Sequence, residues 1–135
     1  MAEQEQTPDV EMSKPGRKGI QRIFWATHYS YRGIRSAWQN EAAFRQEFVL
    51  MLFLIPLAFW LGETVEQQLL LIGPCVLVVV VELINSAIEA VVDRIGPERH
   101  VLSGQAKDMG SAAVFFCLLL VVVSWVLIGW DRFCR

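Results

Sequence analysis

The chain has 135 residues, 54% of them hydrophobic, and a mean hydropathy of +0.39, which is more apolar surface than a soluble core of this size can bury. Its net charge of −2 and pI of about 5.7 supply no global basic field, which argues against nucleic acid as a partner. Cys75 and Cys117 lie in apolar runs and Cys134 sits near the C-terminus, a spacing that fits neither a disulfide framework nor a metal site, so all three read as packing residues.

The first 19 residues hold acids (Glu3, Glu5, Asp9, Glu11), then bases (Lys14, Arg17, Lys18), with Pro8, Pro15 and Gly16 among them. They contain no apolar run like the core of a signal peptide and little that could be buried, so a disordered tail over 1–19 is expected, followed by one membrane domain over 20–135. Within 20–38 the apolar Ile20, Phe24, Tyr31, Ile34 and Trp38 recur at spacings of three, four or seven, while Arg22, Arg32 and Arg35 fall elsewhere. An amphipathic helix over about 20–40 is predicted. Preceding a membrane span, it reads as a helix lying in the membrane interface.

Three long apolar stretches follow, predicting spans at about 42–62, 69–92 and 111–130, each near the ~20 residues that cross hydrocarbon as a helix. Pro56 interrupts the first and the Gly73-Pro74 pair the second; membrane helices tolerate such residues, with some kinking. Lys and Arg are concentrated before the first span and in the link between the second and third, while the link around 63–68 has none. The positive-inside rule then puts the N-terminus and the second link in the cytoplasm and the C-terminus outside.

The second span carries Glu82, Asn85, Ser86 and Glu89, followed by Asp93. At 100° per residue these fall within an arc of roughly 100° on one helix face. A carboxylate at mid-membrane costs about 2.5–3.5 kcal/mol, and a Leu or Val returns only about 0.3–0.6, so this face has to be buried against protein. Asn85 and Ser86 by themselves fit simple helix glue, because amides and hydroxyls pair without charge. An ionised acid in a membrane needs a cation, a metal or a proton, so Glu82 and Glu89 mark a functional site. Separated by about 10 Å along the axis, the two have different roles. Glu89 lies nearer the cytoplasmic end, at a depth similar to Glu41 at the junction with the first span, and that pair suits Mg²⁺, a hard ion that takes one or two carboxylates and completes its shell with water and phosphate. Glu82, deeper among apolar residues, suits a general base.

The second link ends in Ser103, Gly104, Gln105, Ala106, Lys107 and Asp108, where Ser103 is a candidate cap for the third span. Lys107 would then fall in the first turn, against the helix dipole, unless an anion such as a phosphate joins it. It also fits a topology marker or a partner of Asp108, and His100 by its neighbours alone fits an ordinary loop histidine. No Gly-x-x-x-x-Gly-Lys loop, no dinucleotide fingerprint and no His-Arg-Asp motif occurs, which excludes the soluble kinase folds.

Three motifs, Asn40-Glu41-Ala-Ala-Phe-Arg45-Gln46-Glu47, Glu82-Leu-Ile-Asn85-Ser-Ala-Ile-Glu89-Ala-Val-Val-Asp93 and Ala106-Lys107-Asp108-Met-Gly110-Ser111-Ala, resemble in order and spacing those of the prokaryotic integral-membrane diacylglycerol kinases. The resemblance implies an all-α homotrimer in the bacterial inner membrane, with a surface helix and three transmembrane helices per chain and active sites shared between subunits. It implies transfer of the γ-phosphoryl group of ATP to diacylglycerol. Glu82 resembles the catalytic base, Glu41 and Glu89 the Mg²⁺ ligands, and Asn85 a polar residue ordering them. Arg22, Tyr29, Glu98, Arg99, His100, Lys107 and Asp108 would surround the nucleotide, and Arg35, Ala43, Phe44, Arg45, Gln46, Glu47 and Ser111, with Glu82, would contact the lipid. Two departures, the longer tail and Gln105 where the family carries a base, bear on nucleotide affinity. A kinase for a long isoprenoid alcohol such as undecaprenol shares this architecture and is the nearest rival. A small proton-coupled transporter would also explain buried glutamates, but leaves Glu41, Lys107 and Asp108 without a task.

Overall fold

The computed structural model describes residues 19–96 and 100–134, and they form four helices, α1 (Ile20–Asn40), α2 (Ala42–Leu61), α3 (Val65–Ile95) and α4 (Val101–Cys134). Apart from Gly19, the predicted tail lies outside the described residues. By compactness residues 19–33 belong to one unit and 34–134 to another. The helices α2, α3 and α4 are each long and apolar enough to cross a membrane. Large side chains such as Phe53, Phe116 and Leu127 are exposed along them, as befits a chain whose solvent is lipid.

The helix ends are set by local chemistry rather than by hydropathy. One extended residue, Glu41 (φ −109°, ψ 113°), separates α1 from α2. The α2–α3 corner closes at Gly62, whose N–H donates to Ala58 O. Thr64 then caps α3, its hydroxyl accepting from Gln67 N at 3.3 Å, and the Gln67 side chain reaches back to accept from Glu63 N at 2.8 Å. Gly96 ends α3 at φ +150°, a backbone region that side chains disfavour. Pro56 and Pro74 lie inside helices that run on past them.

The expected cap of the last helix is corrected. Ser103 lies inside α4, which begins two residues earlier, and His100 does the capping: its Nδ1 accepts from Leu102 N at 3.2 Å and its carbonyl from Gly104 N at 3.1 Å. Lys107 therefore stands in the second turn. Of the cysteines, Cys75 is buried and Cys117 half-buried, but Cys134 is exposed, so the packing reading fails for it in this chain.

With 31 and 34 residues, α3 and α4 extend roughly 46 and 51 Å, well beyond the ~30 Å of hydrocarbon. They pack on each other most extensively, α2 packs on α3, and α2 and α4 touch little. Two apolar clusters hold the three together. Ala58, Leu61, Leu71 and Ile128 meet near the α2–α3 corner, and Ala37, Phe44 and Val79 meet towards the other end, backed by Phe48, Met51 and Leu83.

Candidate functional site

The second of these clusters supports the carboxylates. Phe44 and Phe48 stack at 5.8 Å and Trp38 meets Phe48 edge-on, which joins the end of α1 to the first turns of α2. Arg45 completes the joint, donating to the carbonyls of Trp38 at 2.8 Å and Gln39 at 3.3 Å, which the end of α1 leaves without helical partners. Its guanidinium thus fixes the corner at which Glu41 stands. The remaining residues assigned by resemblance to the lipid differ in exposure: Arg35, Ala43, Gln46 and Ser111 are exposed, Phe44 is buried and Glu47 half-buried.

Glu82 is 4% exposed and Asn85 8%, while Ser86 and Glu89 are half-buried and Asp93 is exposed. The helical period therefore runs from the bundle interior to its end. Glu82 lies within electrostatic reach of Glu41, Glu89 and Glu47, so α2, α3 and the α1–α2 junction converge four carboxylates on one region. Among the described residues none of the four is ion-paired. Asn85 Nδ2 donates to Glu89 Oε1 at 3.1 Å. Three buried polar atoms in this region have no hydrogen-bond partner among the described residues: Glu47 Oε2, Asn85 Oδ1 and Ser86 Oγ. Buried acids without counter-ions are costly, and a hard cation would offset that cost. Among the described residues no three His, Cys, Asp or Glu side chains gather as a complete metal cage. The donor set fits an ion held by one or two carboxylates whose other ligands come from phosphate and water.

Lys107 Nζ meets Asp93 Oδ1 at 2.5 Å, bridging the end of α3 and the start of α4, and also lies within electrostatic reach of Glu89. The anion beside Lys107 is therefore Asp93 and not the neighbouring Asp108, which is exposed. Asp93 was recognisable as part of the polar face, but its pairing depends on how two helices meet. His100 is exposed at the helix start. In the other unit Tyr29 lies beside the rings of Trp25 and His28, and Arg22 is exposed. Glu98 and Arg99 lie outside the described residues.

Gly110 stands in the third of the family-like motifs, on α4. It is buried directly against Asn85, where an added Cβ would overlap Oδ1 and stand 3.2 Å from Cγ.

Comparison with known proteins bears on what this arrangement does. Residues 28–129 match the family model described as prokaryotic diacylglycerol kinase. The chain is 52% identical to the diacylglycerol kinase of Escherichia coli K12 over 115 residues, which cover 85% of this chain and 94% of that protein. It is 52% identical to the Haemophilus influenzae diacylglycerol kinase over 107 residues (79% and 91%), and 50% identical to that of Pseudomonas aeruginosa over 113 (84% and 92%).

Proposed function

The chain belongs to the prokaryotic diacylglycerol kinase family, and from that membership we propose that it phosphorylates diacylglycerol with ATP, giving phosphatidic acid and ADP. Oxygen of the lipid hydroxyl bonds to the γ-phosphorus, the bond from that phosphorus to the β–γ bridging oxygen breaks, and the hydroxyl proton leaves to a base. Glu82 is that base. The observation that carries the reading is its position, buried at 4% exposure with Glu41, Glu47 and Glu89 around it and no ion-pair partner among the described residues. A carboxylate so placed can hold a proton where water is scarce, as general-base catalysis requires.

Glu41 and Glu89 would hold Mg²⁺, which would neutralise charge on the transferring phosphoryl group. Asn85 steadies Glu89 through its amide N–H. Lys107 exchanges Asp93 for the nucleotide phosphates; an exposed ion pair yields readily to a polyphosphate. By the family resemblance, Arg22, Tyr29, Glu98, Arg99, His100 and Asp108 are the further candidates for contact with the nucleotide. Arg35, Ala43, Phe44, Arg45, Gln46, Glu47 and Ser111 line the approach of the lipid, Arg45 chiefly by fixing the corner. We read α1 as lying in the membrane interface, the N-terminus as cytoplasmic in the inner membrane, and the enzyme as a homotrimer whose neighbouring chains complete each site. The three unpartnered buried atoms support an incomplete single-chain site. The transporter reading gives way, because the family is one of kinases.

The test is transfer of labelled phosphate from ATP, with Mg²⁺, to diacylglycerol and to undecaprenol offered separately in mixed micelles. Preferential labelling of diacylglycerol is expected. Preferential labelling of undecaprenol would retain the mechanism and replace the substrate, and labelling of neither would overturn both.

A further inference from the structure

Helix α4 contains Gly104, Gly110 and Gly129, and the first and last face open space. Only Gly110 stands where a side chain has no room, and what fills that room is the amide of Asn85. The amide's orientation follows from chemistry. A carboxylate only accepts hydrogen bonds, so the nitrogen of Asn85 must face Glu89, and the oxygen is turned towards α4. There it meets no N–H or O–H of the described residues. It lies instead in the direction of the Gly110 Cα–H that a Cβ would replace, a weak C–H···O contact of the kind found where helices approach closely.

We infer that Gly110 is a positioning residue for Glu89: by presenting a bare Cα it seats the Asn85 oxygen, and the rigid amide then aims its N–H at the Glu89 carboxylate. The inference rests on the reading of Glu89 as a metal ligand. With Ala at 110 the oxygen must retreat by roughly an ångström to reach ordinary contact. Nitrogen and oxygen share one planar group, so that movement takes Nδ2 with it. A bond of 3.1 Å lengthened by that much ceases to be a hydrogen bond. The small side chains Ala106 and Ala113, which share a groove with Gly110 and Asn85, would by themselves explain close packing. They do not account for an overlap directed at one amide oxygen.

The experiment uses the full-length protein in detergent micelles and measures Mn²⁺ binding by electron paramagnetic resonance, with a non-hydrolysable ATP analogue, beside the Mg²⁺ dependence of turnover. Loss of an outer partner of a metal ligand costs about 10- to 100-fold in metal affinity. For Gly110→Ala we expect Mn²⁺ binding weakened about tenfold, a similar rise in the Mg²⁺ needed for half-maximal rate, and an unchanged KM for diacylglycerol. Asn85→Ala should lose as much, and Gly110→Ala/Asn85→Ala no more than Asn85→Ala alone, because the overlapping atom has gone. Native Mn²⁺ affinity in Gly110→Ala, or a double loss equal to the product of the single losses, overturns the inference. Should Gly110→Ala fail to accumulate, the double variant decides: recovery to the behaviour of Asn85→Ala supports the inference, and continued failure to fold overturns it. Glu89→Gln separates the two layers. If it binds Mn²⁺ as the native protein does, the ligand reading itself is wrong; if it loses Mn²⁺ while Gly110→Ala does not, only the role of Gly110 is.

Discussion

The two ends of the helical bundle treat their polar groups in opposite ways. At the α2–α3 corner, Gly62 N, Glu63 N and Gln67 N donate to Ala58 O, Gln67 Oε1 and Thr64 Oγ1, and Gln68 Nε2 donates to Gly62 O. Arg132 pairs with Glu63, and about two turns further in Trp125 Nε1 donates to Leu71 O at 3.3 Å across the helix interface. At the other end, among the described residues, Glu41, Glu47, Glu82 and Glu89 converge without a paired cation, and Asn85 Oδ1, Glu47 Oε2 and Ser86 Oγ have no hydrogen-bond partner. A satisfied end contributes stability, and an unsatisfied one gives some of it up for groups that need a ligand. Substitutions at the corner should therefore alter stability and leave chemistry alone, and those at the acidic end should do the reverse.

The largest effect is expected at Glu82. Glu82→Gln keeps the shape of the side chain and removes its ability to take a proton, so turnover should fall by about 10²- to 10⁴-fold while Mg-ATP binding persists. Weakened nucleotide binding with a normal maximal rate would contradict the role of base. Next comes Gly62→Ala at the opposite end, where a Cβ would stand 2.9 Å from Gln68 Cγ, 3.0 Å from Gln68 N and 3.1 Å from Ala58 O. Two of those atoms are main chain and cannot swing aside, so a destabilisation of about 1–3 kcal/mol is expected from overpacking. It should appear as faster thermal inactivation of protein whose initial kcat is native. A reduced kcat at full folding would dissolve the contrast between the ends.

Sequence pattern made the three spans and the acidic face legible, because both depend on one-dimensional signals: long apolar runs, and polar residues recurring at the helical period. Helix limits were less so. The apolar run 69–92 says nothing about Glu66, Gln67 and Asp93, which continue α3 because Thr64 and Gly96 decide where it stops. His100 is a poor cap by propensity, and only its ring nitrogen, brought onto Leu102 N, reveals that it serves as one. The pairing of Asp93 with Lys107, the hold of Arg45 on the α1 carbonyls and the fit of Asn85 on Gly110 all depend on how helices register against one another. No spacing within a single helix encodes that register. Glycine at 110 reads as a small residue until its neighbour is known to be the amide beside Glu89.

The smallest effect, and the sharpest check on the comparison, belongs to Arg132. Its partner Glu63 lies 69 residues away in sequence, so the pair ties the last turn of α4 to the α2–α3 corner. Both side chains are nonetheless substantially exposed, at 31% and 63%. An exposed pair gains little from Coulomb attraction and loses side-chain freedom, and typically contributes about 0–1 kcal/mol, less in salt. Arg132→Gln should therefore shift thermal inactivation slightly, by an amount that shrinks as ionic strength rises, with kcat and the Mg²⁺ dependence unchanged. The corner retains its hydrogen-bonded turn, its threonine cap and the Trp125 contact, any of which involves backbone that water or lipid would otherwise have to satisfy. A loss of several kcal/mol on removing Arg132 would mean that the corner relies on its ion pair, and that charge, not backbone satisfaction, holds the quiet end of the bundle together.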